Sequence, residues 1–249
     1  MRRFFTEPEN VDGQRGVIKI VEDAAHISRV LRMEPGDKVL VFDGSGTEYT
    51  AELTEIGSGE TYAKILSSSA SDLEPKIRVT LFQGIPKSGK LDVIVQKAVE
   101  LGVFEIVPFR AARSVAKISD DKKGAQKIER LNKISKEAAK QCGRGLVPKV
   151  HMPVSVPQMA KMLKDLDMSI MFYEELGHMG TRNLKSVLQE DAETIGIIIG
   201  PEGGFSHEEA QLLTETAGVR TAGLGRRILR TETAGSTALS IIMYEKNEI

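Results

Sequence analysis

The chain has no tryptophan and a single cysteine, Cys142. One thiol closes no internal disulfide and builds no cysteine-rich zinc site, so a reducing compartment is the expected setting. The four histidines, His26, His151, His178 and His207, show no metal-ligand spacing. Surface or helix-start places suit them better, and no metal is expected. A formal net charge of −1 gives no global pull toward nucleic acid and leaves room only for a local patch. No apolar run is long enough to cross a bilayer, and the opening MRRFFTEPEN lacks the apolar core of a signal peptide. The expectation is a cytoplasmic protein with no membrane partner. What is present is ordinary for a soluble globular chain: 41% hydrophobic and 28% charged residues. A length of 249 residues accommodates two domains.

Residues 1–72 alternate in short strand-like pieces, Gly16–Val21, Lys38–Phe42, Glu48–Leu53 and Thr61–Leu66, separated by turn signals such as Pro35-Gly36-Asp37 and Gly57-Ser58-Gly59. One helical piece, Glu22–Arg32, interrupts them. Short strands and tight turns predict a small barrel. The serine-rich stretch 67–75 reads as a linker to a second domain, 73–249. The first 72 residues carry eight Lys/Arg against thirteen Asp/Glu, which excludes a bulk electrostatic grip on RNA there. Arg2 and Arg3 beside Phe4 and Phe5 form a cation-plus-aromatic cluster suited to phosphate and base stacking. The phenylalanines equally suit a buried strand, and Arg3 is the candidate for RNA contact.

From Ile77 the period changes. A strand at Arg78–Gln83 runs into Gly84-Ile85-Pro86-Lys87-Ser88-Gly89-Lys90 and then a helix, which matches the phosphate cradle G-x-x-x-x-G-K. The match fails where Leu91 replaces the magnesium-holding Ser/Thr, and Pro86 removes a backbone N–H. A nucleotide hydrolase is therefore a minor alternative, and Lys87 and Lys90 become candidates for RNA phosphate. Residues 110–149 hold twelve Lys/Arg against four Asp/Glu, mostly on one helix predicted at Asp120–Gln141. Its stripe Ile128, Leu131, Ile134 and Ala138 is spaced for burial. The basic remainder reads as an RNA-backbone track, with the alternative of a plain solvated face.

The C-terminal half alternates strands and helices: Lys149–Met152, helix Pro157–Leu166, Ser169–Tyr173, helix Arg182–Gln189, Thr194–Ile199, helix Glu208–Ala217, Arg220–Leu224 and helix Glu232–Glu245. That order predicts an α/β domain with a parallel sheet whose ligand binds beyond the carboxyl ends of its strands. Three such ends carry unusual residues: Phe172-Tyr173-Glu174, Gly200–Gly204 and Gly223–Leu229. Ser206 with Glu209 fits a capping box opening the next helix.

The wording IIIGPEGGFS followed by LGRRILRTETA resembles the 16S ribosomal RNA uracil-N3 methyltransferase family (RsmE-like), of the SPOUT class. FQGIPKSGKLDVIVQKAVELG is similar to an earlier block of the same family. The resemblance implies a PUA-like RNA-binding barrel, then a SPOUT domain whose C-terminal trefoil knot holds S-adenosylmethionine, in a homodimer acting on 16S ribosomal RNA or the small subunit. It implies a pocket in which Leu224, Ile228 and Leu229 hold the adenine, while Gly200, Gly203 and Gly204 admit the ribose and methionine parts. Tyr173, Glu174, Pro201, Glu202, Gly225, Thr233 and Ala234 complete it. Removing the N3 proton of uracil calls for a base and a cation, roles given to Glu232 and Arg230. A carboxylate such as Glu232 is also favourable simply at a helix N-terminus. Arg113 and Arg144, flanking the basic helix, are the remaining candidates for RNA contact. Ala238, Ile241 and Ile242 are core or dimer surface.

Overall fold

The computed structural model describes residues 1–87, 89–116, 118–173 and 182–249. It divides into two compact units, one of Met1–Glu74 with Ala139–Val147, the other of Pro75–Ala138 with Pro148–Ile249.

In the first unit, the described residues form a six-stranded sheet. Its strands are β1 (Arg2–Phe5), β2 (Val11–Asp12), β3 (Val17–Ile20), β4 (Lys38–Phe42), β5 (Thr47–Ile56) and β6 (Thr61–Ala70), in the order β1-β4-β5-β6-β3-β2. All pairs are antiparallel except β1 with β4. Alternation places Phe4, Ile18, Ile20, Val39, Val41, Ala51, Leu53 and Ala63 in one core. The predicted helix at Glu22–Arg32 shortens to a wide turn at His26–Val30, which buries Ile27. The serines expected in a linker belong instead to β6, where Ser67, Ser68 and Ser69 pair with Thr50, Tyr49 and Glu48. Ladder hydrogen bonds need only backbone, so exposed serines extend a strand that their composition disfavours.

Two expected RNA contacts are engaged within this unit. Arg3 donates to Glu48 (2.7 Å) and to the Gly143 carbonyl (2.5 Å), with its guanidinium 5.6 Å from the Phe42 ring centre. Arg144 is 4% exposed and donates through Nη2 to Glu74 (2.7 Å), whose other oxygen accepts from Leu146 N–H. A buried, paired guanidinium offers no surface to a phosphate, so the expectation for Arg144 is corrected to a structural one.

The second unit carries a parallel sheet of eight strands among the described residues. They are β7 (Arg78–Gly84), β8 (Glu105–Arg110), β9 (Lys149–Val150), β10 (Val154–Ser155), β11 (Met168–Phe172), β12 (Arg182–Asn183), β13 (Thr194–Ile199) and β14 (Arg220–Gly223). Their order is β10-β8-β7-β13-β11-β14-β12, with β9 also on β8. The run TIGIII of β13 has five fully buried residues after Thr194, as a central parallel strand covered on both faces requires. One face packs Phe82, Phe109, Met171 and Ile198 with Met159 and Leu163 of α3 (Val156–Leu163) and Ala210 of α5 (His207–Gln211). The other carries α1 (Lys90–Glu100) and, past α4 (Leu184–Val187), α6 (Thr231–Glu245). Ala238 and Ile242 of α6 are fully buried in the core, while Ile241 is half-buried.

The basic helix is α2 (Lys122–Cys142). Ile128, Leu131, Ser135 and Ala138 are buried. Its cations are less available than the charge count implied. Arg130 is bidentate to Asp92 of α1 (2.6 Å twice), Lys133 pairs with Glu129, and Lys140 lies 3.5 Å from both Glu22 and Asp23. Lys122 and Lys123 remain exposed.

Candidate active site

The strands β7, β13, β11 and β14 are consecutive neighbours and parallel, so their carboxyl ends share one edge. The loops leaving β7, β13 and β14 are bound to one another there. Gly84 ends β7 directly against Pro201, where an added Cβ would lie 2.5 Å from both Pro201 Cδ and Pro201 N. Only a glycine lets the two backbones approach so closely. Gln83 is fully buried and donates from Nε2 to Thr231 Oγ1 (2.8 Å), and Thr231 donates onward to the Gly200 carbonyl (2.7 Å).

The loop after β13 turns at Pro201, whose carbonyl accepts from Gly204 N–H (2.9 Å), with Gly204 at φ 68°. The capping box follows as predicted: Ser206 Oγ accepts from Glu209 N–H, and the Glu209 side chain accepts from Ser206 N–H. Glu209 also accepts from Ala112 N–H (2.7 Å), fastening the loop after β8. Gly203 sits against that loop. A Cβ there would meet Arg113 O at 2.8 Å, and Arg113 Nη1 donates to the Gly203 carbonyl at 3.4 Å. The missing side chains of Gly203 and Gly84 thus make room for protein backbone. Gly200 likewise faces the Phe205 ring, 3.0 Å from a built Cβ.

Three charged groups meet above this frame. Lys90 Nζ lies 3.0 Å from Glu202 Oε1 and 3.2 Å from Glu232 Oε2, the second an ion pair outside hydrogen-bond alignment. Lys87 N–H donates to Glu202 as well. The carboxylates of Glu202 and then Glu232 beside it raise the Lys90 ammonium above its ordinary value. Burial pulls Glu202 upward, but hydrogen bonds from Lys90 and backbone N–H groups outweigh it and hold the carboxyl low. Glu232 is held low chiefly by its own backbone N–H at the start of α6, against burial, with Lys90 and Arg230 adding. At neutral pH the cluster therefore carries two negative charges and one positive. This acidic surrounding is wrong for a phosphate cradle and removes the basis for the nucleotide-hydrolase alternative. It also shows Lys90, the candidate phosphate contact, engaged with two carboxylates.

The other predicted residues fall around this edge. Tyr173 is 8% exposed and packs edge-on to Phe205 (5.8 Å), so it belongs to the core under the loop. Glu174 lies outside the described residues. Leu224 and Leu229 are half-buried, Gly225 takes φ 102°, and Ile228 is 79% exposed. Arg230 is exposed and caps α6 without a side-chain hydrogen bond. Thr233 and Ala234 donate their N–H groups to the Arg230 carbonyl in the first turn of α6. Lys87 and Arg113 are exposed. Gln83 and Thr231 were not picked out from sequence. They are 148 residues apart, and only the strand order brings them together.

A family model described as an RNA methyltransferase domain matches residues 73–243, and one described as an RNA methyltransferase PUA domain matches residues 21–66. The chain is 40% identical to the ribosomal RNA small subunit methyltransferase E of Bacillus subtilis, over 98% of this chain and 97% of that one. The chain belongs to the ribosomal RNA small subunit methyltransferase E family. Among solved structures, a family member from Neisseria gonorrhoeae bound to S-adenosylmethionine superimposes with a TM-score of 0.79 at 30% identity, covering 98% and 97% of the two chains. A Legionella pneumophila protein in complex with the same cofactor matches with a TM-score of 0.79 at 31% identity, over 97% and 96%. The PUA match falls within the first unit, and the methyltransferase-domain match covers most of the second together with residues 73–74 and Ala139–Val147 of the first.

Proposed function

We propose that the protein transfers the methyl group of S-adenosylmethionine to N3 of a uridine in 16S ribosomal RNA, acting on the free RNA or the assembled small subunit. The observation that carries this is the joining of the β7, β13 and β14 loops at one sheet edge, in a member of this family. The residues suit the donor. Glu202, Glu232 and Lys90 sum to one negative charge, which favours a cation such as a sulfonium. Half-buried Leu224 and Leu229 offer apolar surface in the loop after β14. When bound, the sulfonium supplies a methyl group already activated for transfer, without a metal.

The acceptor needs its N3 proton removed and the resulting charge on the flanking oxygens stabilised. Arg230, exposed at the head of α6, supplies the cation in this reading. Glu232, two residues further on and held ionised, accepts the proton. Its ion pair with Lys90 makes it a weaker base than a free carboxylate, so Arg230 and positioning carry the larger share. N3 lies on the pairing edge, so the uridine reacts unpaired. Residues 1–72 serve as the PUA-like RNA-binding domain and 73–249 as the SPOUT domain with a C-terminal trefoil knot. Lys87 and Arg113 meet the RNA backbone. The protein works as a cytoplasmic homodimer. The test is methyl transfer from labelled donor to small-subunit RNA, with the product nucleoside identified. Label recovered as N3-methyluridine supports the reading, and label at another atom contradicts it.

A further inference from the structure

Gln83 has no exposed surface, and its amide is fixed in direction. Nε2 donates both to the Gly84 carbonyl (2.9 Å) and to Thr231 Oγ1 (2.8 Å). Turning the amide over would set its oxygen against the Gly84 carbonyl, two acceptors face to face. Because the amide nitrogen only donates, Thr231 Oγ1 must accept from it, and the hydroxyl proton is left for the Gly200 carbonyl at 2.7 Å. Gln83 Oε1 is buried with no partner. An unpaired buried oxygen is costly, and the fold tolerates it while keeping both donated bonds.

The chain of bonds joins two loops with different tasks. Gly200 begins the loop that turns at Pro201 and leads to Glu202. Thr231 lies in sequence between Arg230 and Glu232, and is 6% exposed at the first helical position of α6. We propose that Thr231 is a positioning residue whose hydroxyl, aimed by Gln83, sets the spacing between the donor loop at Gly200 and the acceptor groups Arg230 and Glu232. This rests on the function proposed above. A displacement of about 1 Å between reacting partners costs about 100-fold in rate, so a single hydroxyl at this junction has large leverage.

The test uses the full-length protein and the variants T231V, T231S and Q83L. For each, melting temperature, donor affinity by calorimetry, and kcat and KM for methyl transfer to small-subunit RNA are measured. T231V keeps the shape and removes the hydroxyl, and its kcat is expected to fall about 10- to 100-fold, well below the melting temperature. Donor affinity should change far less. T231S should recover most of the lost kcat. Q83L combined with T231V should be no slower than T231V alone, because both break one chain of bonds. Should T231V fail to fold, T231A carries the same expectation without overpacking. The proposal is overturned if the folded valine or alanine variant turns over like the parent, if T231S is as slow as T231V, or if the loss falls wholly on donor affinity. A parent protein that binds donor yet methylates no ribosomal RNA would instead overturn the proposed function.

Discussion

Replacing Gly84 by alanine probes the frame of the donor loop directly. The new Cβ would lie 2.5 Å from Pro201 Cδ and N and 3.0 Å from Gly200 C. Ordinary carbon contacts begin near 3.5 Å, so β7 and the Pro201 loop must part by about 1 Å. Two of the three atoms met are backbone, and none is the tip of a flexible side chain. Overpacking of this kind costs about 1–3 kcal/mol. If the loop yields, part of that cost appears in binding, where each 1.4 kcal/mol or so is a factor of ten in dissociation constant. Donor affinity measured by calorimetry should therefore weaken about 10- to 100-fold, alongside a lowered melting temperature. Gly204→Ala is the control, since no atom lies within 4 Å of its Cβ and only its positive φ of 68° strains the chain. That strain costs about 1–2 kcal/mol without pushing on Pro201. A Gly84→Ala protein that melts and binds donor like the parent would refute the close approach.

Arg144→Ala should destabilise the first unit by about 3–5 kcal/mol, by leaving Glu74 in a largely buried place without its cation. Chemical denaturation checks this, and RNA affinity per folded molecule should be unchanged. Arg230→Ala should lower kcat by about 100-fold while donor affinity holds, and steady-state kinetics with calorimetry separates the two. Glu202 and Glu232 are held below their ordinary values, so their contribution to stability is full above the usual carboxylate range. It is lost as pH falls through their lowered values. Lys90 is raised, so its contribution is full below the usual lysine range and lost only as pH climbs through its higher value. Melting temperature should therefore be flat near neutrality and fall in acid. Lys90→Met removes the cation between two carboxylates and should move the acid limb to higher pH.

Local patterns were readable from the chain. The Ser206–Glu209 capping box needs only four residues, and the TIGIII strand announces its two covered faces by having no polar alternation. The alternation of strands and helices likewise predicted the parallel sheet, and the glycine loops fell at the ends of β13 and β14, on either side of β11. Partners distant in sequence were not readable. Arg130 looked like part of a basic track because its carboxylate, Asp92, lies on another helix. Arg144 looked exposed because Glu74 precedes it by 70 residues. The close approach of the Arg113 backbone to Gly203 was likewise invisible, because the two lie 90 residues apart. Thr231 and Gln83 lie inside the quoted family blocks but showed no role there, since a hydroxyl and an amide acquire meaning only once β7 and the head of α6 are side by side.

The central claim is that the edge where β7, β13 and β14 end holds a sulfonium donor for methylation of a uracil nitrogen. Incubating the protein with methyl-labelled S-adenosylmethionine and small-subunit RNA, then digesting the RNA to nucleosides, tests it most directly. The account predicts label in N3-methyluridine, abolished by competing S-adenosylhomocysteine and reduced in step with donor binding by Gly84→Ala. Label in any other nucleoside, or transfer that Gly84→Ala leaves untouched while donor binding falls, would contradict it.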